Sequence, residues 1–288
     1  MKIGDILSGG RITVSCELFP PKQDGDLERV REAVGGIAAL GPDFMSVTYG
    51  AGGGTSRHTV RIAADIQARG ITALAHLTCV SSTKEDVARI LSELEGHHIE
   101  NILALRGDIP AGADFPSQGQ YRYASELVAE IRARGGFCIG AACYPEGHVE
   151  SARREDDIDH LKQKVDCGCD FLTTQMFFDN NVLYSFLYRI LAKGIHVPVV
   201  AGIMPVTNSK QIKRICALSG TELPHRFRAI VERFADSPDA MKQAGIAYAT
   251  EQIIDLIANG VTAIHLYTMN KPDVAEAIFG NLSEIIRV

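Results

Sequence analysis

The chain has 288 residues, of which 46% are hydrophobic and 22% are charged, as expected for a globular protein with one large core. A net charge of −6 argues against a surface for nucleic acid or for an anionic membrane. No apolar run has the pattern of a signal peptide or a membrane span. The seven cysteines are scattered without a CxxC pair, so we expect reduced thiols in a soluble cytoplasmic protein.

Short apolar runs rich in β-branched residues recur along the chain, separated by segments with the 3.6-residue periodicity of helices. One predicted helix begins at Thr83 with Asp86 three residues on, close to a capping box. The connection from Thr207 to Gly260 is longer and contains an extra helix. We predict strands in eight runs: ITVSCELF (12–19), FMSVTY (44–49), TALAHLTC (72–79), NILALRG (101–107), FCIGAACY (137–144), FLTTQMFF (171–178), VPVVAGIM (197–204) and AIHLYTM (263–269).

Eight strands alternating with helices, without a linker between them, predict a single (β/α)8 TIM barrel over residues 1–288 with an extra helix before the last strand. A doubly wound open sheet is the alternative. In a barrel the loops after the strands form the active-site face, so polar residues near the carboxyl ends of the strands are candidate site residues. They are Glu17, Thr48, Tyr49, His76, Arg106, Asp108, Tyr144, Gln175 and Tyr267.

The glycine-rich stretch VTYGAGGGTSRHT (47–59) follows a predicted strand and precedes a helix, which is the context of a dinucleotide-binding turn. Its Gly50-x-Gly52 pattern is followed by Thr55, where the fingerprint needs a third small residue. The next strand also ends without the acidic residue that would bind a ribose. We therefore interpret the stretch as a tight turn, in which glycine permits a close approach of the backbone to a ligand.

Glu17 lies in SCELFPP, just before two prolines that end the strand. Side chains alternate along a strand, so Ser15 and Glu17 share one face and Cys16 and Leu18 the other. We expect Glu17 to project just inside the barrel mouth. Two interpretations remain open: a buried structural acid, or a general acid kept protonated by desolvation.

Two other segments each allow a structural and a functional interpretation. ALRGDIP (104–110) contains residues that favour a turn, but its place at the end of a strand favours contact with a ligand. In the predicted helix EDDIDHLKQKVDCG (155–168), Asp157, His160 and Lys164 follow a helical spacing. They form either a solvated charged face or a polar surface for a ribose or diphosphate, with Lys164 supplying positive charge.

The histidines also allow a metal site, because His76, His148 and Asp108 could meet at a barrel mouth. However, no H-x-H or HExxH spacing occurs, and a hydrogen-bonding histidine is the commoner case. We therefore predict no metal.

Ordered motifs from about residue 12 to residue 271 resemble those of the methylenetetrahydrofolate reductase family. Several motifs matching in order are far more specific than any one alone. The motifs are CELFPP, VTYGAGG, AHLTC, ALRGD, AACYPEGH, LKQKVDCGCDFLTTQMFFD, GIMPVTN and LYTMN.

The resemblance implies a flavin-bearing (β/α)8 barrel that reduces 5,10-methylenetetrahydrofolate to 5-methyltetrahydrofolate with electrons from NADH or NADPH, passed in a ping-pong sequence through FAD. Glu17 matches the general acid that protonates N10 of the folate, and Asp108 matches the acid beside flavin and pterin. Gln175, Gln211, Tyr267 and Lys271 match substrate-binding positions. Positions that resemble the FAD shell are Thr48, Tyr49, Ala51, His76, Arg106, Gly107, Asp108, Tyr123, Ala124, Tyr144, His148, Asp157, His160 and Lys164.

The sequence departs from the family pattern at a few of these positions. His160 and Gln163 stand where Asn and Arg are expected, which removes a positive charge near the FAD diphosphate. Lys271 replaces an arginine, so a bidentate clamp on the folate tail becomes a single-point contact. Ile215 replaces an aromatic residue on the nicotinamide side.

The Ile215 departure motivates one alternative, a catalytic subunit of the same fold that receives electrons from a partner protein. A metal-dependent lyase barrel and a non-enzymatic binding protein are the others. We expect a homo-oligomer, no regulatory domain responsive to S-adenosylmethionine, and a role in supplying methyl groups for methionine, all by resemblance.

Overall fold

The computed structural model describes residues 1–21, 23–49, 56–80, 82–109, 112 and 114–287. Within them, eight parallel strands close into a barrel in sequential order, β8 pairing with β1. This confirms the predicted (β/α)8 barrel and contradicts the open-sheet alternative. The strands are β1 (Thr13–Leu18), β2 (Phe44–Val47), β3 (Thr72–Thr78), β4 (Asn101–Leu105), β5 (Cys138–Cys143), β6 (Phe171–Thr174), β7 (Val199–Ile203) and β8 (Ala263–Tyr267).

Helices surround the barrel, and the connection between β7 and β8 contains α8, α9 and α10, so the extra helix is where the sequence predicted it. None of the helices described is both long enough and apolar enough to cross a membrane. The helices are α1 (Ile3–Leu7), α2 (Leu27–Ala38), α3 (Ser56–Ala68), α4 (Lys84–Gly96), α5 (Ala124–Arg134), α6 (Arg154–Asp166), α7 (Asn180–Ala192), α8 (Ser209–Ser219), α9 (His225–Arg233), α10 (Pro238–Ala258) and α11 (Pro272–Leu282).

The ends of two elements show how local chemistry sets their bounds. At α4 the predicted capping box is present, since the Thr83 side chain accepts from the Asp86 N–H and the Asp86 carboxylate accepts from the Thr83 N–H. Strand β6 ends four residues before the predicted position. Beyond it the carbonyls of Phe177 and Phe178 accept hydrogen bonds from side chains of α10 instead of pairing with a strand.

Two apolar layers hold the barrel together, one outside and one inside the sheet. Val14, Cys16 and Leu18 of β1 lie in the outer layer against the helices, whereas Ser15 and Glu17 point inward, as the alternation predicted. The inner layer fills the amino-terminal end of the barrel. It comprises Ile3 and Ile6 of α1 with Phe44, Leu74, Leu103, Cys138, Phe171, Val200 and Ala263.

Helix α1 closes the amino-terminal end of the barrel. The Asn101 amide fixes it there, because its oxygen accepts from the Ile3 N–H at 2.8 Å and its nitrogen donates to the Met1 carbonyl at 3.0 Å. Among the described residues, α1 and the inner apolar layer close this end, so the polar interior faces the carboxyl ends of the strands.

A glycine in α10 permits its close approach to the loop after β7. A Cβ built on Gly245 would lie 1.8 Å from the Val206 carbonyl oxygen, whereas one on Gly280 of α11 would meet nothing within 4 Å. We expect Gly245→Ala to lower the free energy of unfolding by about 1–3 kcal/mol. The control Gly280→Ala should raise it by up to about 1 kcal/mol, because alanine is the better helix former. Urea unfolding of both variants measures this; equal shifts would contradict the close packing.

Candidate active site

The candidate site lies at the carboxyl-terminal end of the barrel, where the sequence predicted it. Its centre is Glu17 near the end of β1, with His76 of β3 and His265 of β8 on either side. The exposed fractions of these residues are 7%, 6% and 2%, so all three are buried. The Glu17 Oε2 atom lies 3.7 Å from His76 Nε2 and 3.9 Å from His265 Nε2. Both distances exceed the length of a hydrogen bond.

Serine hydroxyls hold the His265 ring at both nitrogens. Ser15 Oγ lies 2.7 Å from Nδ1, and Ser46 Oγ lies 3.1 Å from Nε2. All three side chains are inside the barrel, and the ring stacks on Phe44. Ser15, Ser46 and His265 were not predicted as site residues. The available signal was that Ser15 and Ser46 are polar residues within largely apolar strands.

Burial determines the charge of the groups around Glu17. It lowers the pKa of His76 to about 4, with a smaller opposing effect of Glu17 and a further lowering by His265. His76 Nε2 has no hydrogen-bond partner among the described residues. The Tyr267 hydroxyl donates to the Thr174 carbonyl, and burial, followed by Glu17, raises the pKa of Tyr267 well above 10. His76 and Tyr267 are therefore neutral at pH 7.

A second group of predicted residues lies at the ends of β4 and β5. The Arg106 guanidinium donates two hydrogen bonds to the Glu150 carboxylate, at 2.6 and 2.7 Å. His148 packs edge-on against the Tyr144 ring, 4.7 Å between centroids, and its Nδ1 accepts from the Glu150 N–H. The Glu150 hydrogen bond raises the pKa of Arg106, and burial, followed by Arg106, lowers that of His148. Glu150 is a further residue that the sequence analysis missed.

Gly107 and Asp108 follow Arg106 at the rim. Gly107 has φ of +85°, which favours glycine, and a Cβ there would also lie a tight 3.2 Å from the Thr78 Cβ. The Asp108 side chain is exposed, and its charge acts on both Arg106 and Tyr144.

Helix α6 turns two of its three predicted residues toward the barrel. Lys164 Nζ donates to the Ala142 carbonyl at 2.6 Å, and burial lowers the pKa of Lys164. Asp157, two turns earlier, is half-buried, accepts a long 3.4 Å hydrogen bond from Ser151 and acts electrostatically on Lys164. His160 is exposed, so the structure does not bring it to the other two.

A third group lies near the ends of β7 and β8. Lys271 Nζ donates to Thr207 Oγ1 at 2.6 Å. Gln211 is in the first turn of α8, which Asn208 caps by accepting from the Lys210 and Gln211 N–H groups. A shallow cavity beside them is lined by Met204, Pro205, Val206, Thr207, Asn208, Gln211, Ile212, Ile215 and Met269.

The other predicted residues are more scattered. Gln175 follows β6, and its side chain accepts from the Met176 N–H. The Tyr49 hydroxyl hydrogen-bonds Ser82, while the Thr48 carbonyl accepts from Thr59. Tyr123 is exposed at the start of α5, whose first residue is Ala124. Ala51 and the glycine-rich turn around it lie outside the described residues.

The described part of the chain contains no group of three His, Cys, Asp or Glu side chains placed to hold a metal ion. The proposed convergence of His76, His148 and Asp108 gains no support from this geometry, because His76 lies against Glu17 whereas His148 packs on Tyr144.

The lowered pKa of His76 makes stability depend on pH. Its pKa is about 4 in the fold and 6.5 normally, so between these values the unfolded chain binds a proton that the folded chain does not. The contribution is therefore fully present above pH 6.5 and is lost as the pH falls toward 4.

We expect His76→Gln to abolish this loss, which amounts to about 3 kcal/mol between pH 7 and pH 4. Urea unfolding at several pH values measures it. The control His160→Gln, at an exposed histidine on α6, should keep the wild-type dependence of the free energy of unfolding on pH. The same dependence in His76→Gln would show that His76 is not neutral in the fold.

Comparison with known proteins identifies the family. The sequence model of the family "Methylenetetrahydrofolate reductase" matches residues 2–283. "Methylenetetrahydrofolate reductase (NADH) 1" of Arabidopsis thaliana is 35% identical over 99% of this chain and 50% of its own length, so the chain spans about half of that relative. The "5,10-methylenetetrahydrofolate reductase" of Escherichia coli (strain K12) is 34% identical over 93% of this chain and 90% of its own length.

Among solved structures, the chain has the fold of an uncharacterized protein from Clostridium thermocellum that binds two copies of 5-methyl-5,6,7,8-tetrahydrofolic acid. The TM-score is 0.65 at 13% identity, with 100% of this chain and 99% of that one covered. At this identity the likeness concerns the fold alone. The family model and the E. coli relative carry the assignment, and the chain belongs to the methylenetetrahydrofolate reductase family.

Proposed function

We propose that the chain catalyses the reduction of 5,10-methylenetetrahydrofolate to 5-methyltetrahydrofolate, with FAD as cofactor and NADH or NADPH as electron source. Membership of the family supports this reaction. The observation that carries the proposal is a buried carboxyl group, Glu17, at the open end of a barrel whose other end is sealed.

The rim residues fit FAD by the chemistry of their donor groups. Arg106 and Lys164 carry two positive charges in a chain of net charge −6, and a diphosphate would take the place of the Glu150 carboxylate that pairs with Arg106 here. Tyr144 and His148 offer ring surfaces beside them, and Asp157 offers a carboxylate for ribose hydroxyls. When bound there, FAD would accept a hydride equivalent from the nicotinamide and deliver it to the folate.

Glu17 would act as the general acid. Its proton passes to N10 of the folate as the bond from N10 to the bridging carbon breaks, which leaves a cationic 5-iminium group ready to accept hydride. His76 is neutral at pH 7, so no positive charge at that position favours the ionised carboxylate. The exposed carboxylate of Asp108 would favour the cationic iminium over the neutral substrate.

The third group would hold the folate. Lys271 offers one ammonium group to the carboxylates of the glutamate tail, and its contact with Thr207 orients it. Gln175, Gln211 and Tyr267 supply polar atoms around the same end of the barrel.

One observation favours the partner-protein alternative. Ile215 lines the shallow cavity beside Gln211, where an aromatic ring would stack on a nicotinamide. An isoleucine offers apolar contact without a flat surface. The same catalytic residues would then serve a flavin that an electron-donor protein reduces.

The test of the proposed function is the visible spectrum of the FAD-loaded protein under anaerobic conditions. We expect NADH or NADPH to bleach the flavin and methylenetetrahydrofolate to restore its colour. A flavin that neither nicotinamide bleaches, but that oxidises on folate after chemical reduction, would favour the partner protein. A reduced flavin that folate does not reoxidise would contradict the proposed reaction.

We expect Glu17→Gln to slow reoxidation of the reduced flavin by methylenetetrahydrofolate by about 10²–10⁴-fold, because the amide cannot supply the proton. Bleaching by the nicotinamide should stay within about twofold of wild type, since that half-reaction needs no general acid at N10. Stopped-flow absorbance measures both half-reactions. The control Glu28→Gln, at an exposed residue of α2, should change neither. An equal loss in both half-reactions would contradict the role of Glu17.

Two lysines of α6 provide a matched pair for cofactor binding. Lys164 is half-buried and contacts β5, whereas Lys162 pairs with Asp166 on the outer side of the helix. We expect Lys164→Gln to raise the FAD dissociation constant at least about tenfold, since a charge-assisted contact to phosphate is lost. Lys162→Gln should change it less than about twofold. Fluorescence titration of the apoprotein with FAD measures both, and equal effects would exclude Lys164 from the diphosphate site.

A further inference from the structure

Two residues of the rim are paired with each other in a way that concerns ligand binding. Both terminal nitrogens of the Arg106 guanidinium donate to the Glu150 carboxylate, at 2.6 and 2.7 Å. The remaining nitrogen, Nε, donates to the Gly107 carbonyl at 3.4 Å. Arginine binds a phosphate through the same forked arrangement that it forms with a carboxylate. A phosphate group and the Glu150 carboxylate would therefore compete for the same two nitrogens.

The two partners of this pair are unequally buried. The Arg106 side chain is 22% exposed, whereas the Glu150 side chain is 55% exposed. A cation that is largely shielded from water costs free energy unless an anion lies beside it. Glu150 offsets this cost in the apoprotein. Because the carboxylate is the more exposed partner, it can turn into water when another anion takes its place, and it needs no second partner there.

The position of Glu150 in the connection between β5 and α6 allows this exchange. The first part of the connection is anchored elsewhere, since the Pro145 carbonyl accepts from a side chain of α7 and the Glu146 carboxylate accepts from an N–H group between α8 and α9. After Gly147, which has a φ of +92°, the chain is more exposed, and Val149 is 58% exposed. The Glu150 side chain can therefore leave Arg106 while the anchored part stays in place.

We propose that Glu150 is an internal competitor of the cofactor, which neutralises Arg106 in the apoprotein and is displaced from it by the diphosphate of FAD. The inference rests on the proposed function, in which FAD binds at this rim. It follows that Glu150 weakens the binding of FAD, because the diphosphate binds Arg106 only in the fraction of molecules in which the pair is open.

A matched pair of variants tests the inference. Glu251 also accepts two hydrogen bonds from one arginine, Arg226, both at 2.9 Å, but it joins α10 to α9. We expect Glu150→Gln to lower the FAD dissociation constant by about three- to tenfold, because an uncharged amide competes less well for the guanidinium. Glu251→Gln, which removes the same charge, should change it less than about twofold. Fluorescence titration of the apoprotein with FAD measures both.

Two further measurements separate competition at Arg106 from a general effect of charge. In an Arg106→Gln background, adding Glu150→Gln should change the FAD dissociation constant less than about twofold, because no guanidinium is left to compete for. Inorganic pyrophosphate alone should raise the thermal unfolding midpoint of the apoprotein. We expect the concentration needed for a given rise to be about three- to tenfold lower in Glu150→Gln than in the wild type or in Glu251→Gln.

The outcomes separate the inference from the function. An unchanged or weaker affinity for FAD in Glu150→Gln would overturn the inference, and weaker binding would mean that the carboxylate holds Arg106 in place for the cofactor. An equal gain in the Arg106→Gln background would also overturn it, since repulsion alone would then explain the effect. A wild-type protein that binds FAD but does not reduce folate would overturn the proposed function instead, whatever the effect of Glu150→Gln on affinity.

Discussion

The site depends on a carboxyl group held inside a closed barrel, away from bulk water. Burying an ionised carboxylate without a partner costs several kcal/mol, so such a group becomes neutral or acquires a counter-charge. The two imidazoles beside Glu17 lie beyond hydrogen-bonding distance of its carboxyl group, and one of them, His76, is neutral because of its own burial. The proposed role of Glu17 as a proton donor places it in this buried position, at the open end of the barrel.

Closure of the barrel positions that carboxyl group. Glu17 is opposite Tyr267 in the pairing of β1 with β8, and its carbonyl accepts from the Thr268 hydroxyl at 2.6 Å. The Asn270 side chain bonds both the N–H and the carbonyl of Phe19, two residues after Glu17. Asn270 has a positive φ, which asparagine tolerates better than most residues. The end of the first strand, which carries Glu17, is therefore held by residues about 250 positions later in the chain.

The sequence predicted the barrel and the neighbourhood of Glu17 because both follow from local periodicity. Alternation in β1 placed Glu17 inside, and the ends of the strands placed His76 beside it and Arg106 and Tyr144 at the same end of the barrel. Periodicity could not predict contacts between distant segments, such as Glu150 with Arg106. The prediction also grouped His160 with Asp157 and Lys164. At about 100° per residue, Asp157 and Lys164 are nearly aligned along the helix, whereas His160 is rotated away from both. The end of β6 was mispredicted for the same reason. Beyond the strand, the carbonyls of Phe177 and Phe178 accept hydrogen bonds from side chains of α10, which lies far away in the sequence.

The distribution of charge divides the site into a neutral interior and a charged rim. Within the part of the chain described, the side chains around Glu17 are imidazoles, hydroxyls and a phenol, whereas Arg106, Lys164 and Lys271 lie on the loops and the helix at the mouth. A chain of net charge −6 can attract anionic ligands only where such cations concentrate. The rim contacts would fall with added salt, whereas the interior interactions would not, because ions do not enter the packed barrel. Under the proposed function, anion binding and proton transfer would be separable in this fold: changes at the rim would alter affinity, and changes around Glu17 would alter the chemical step.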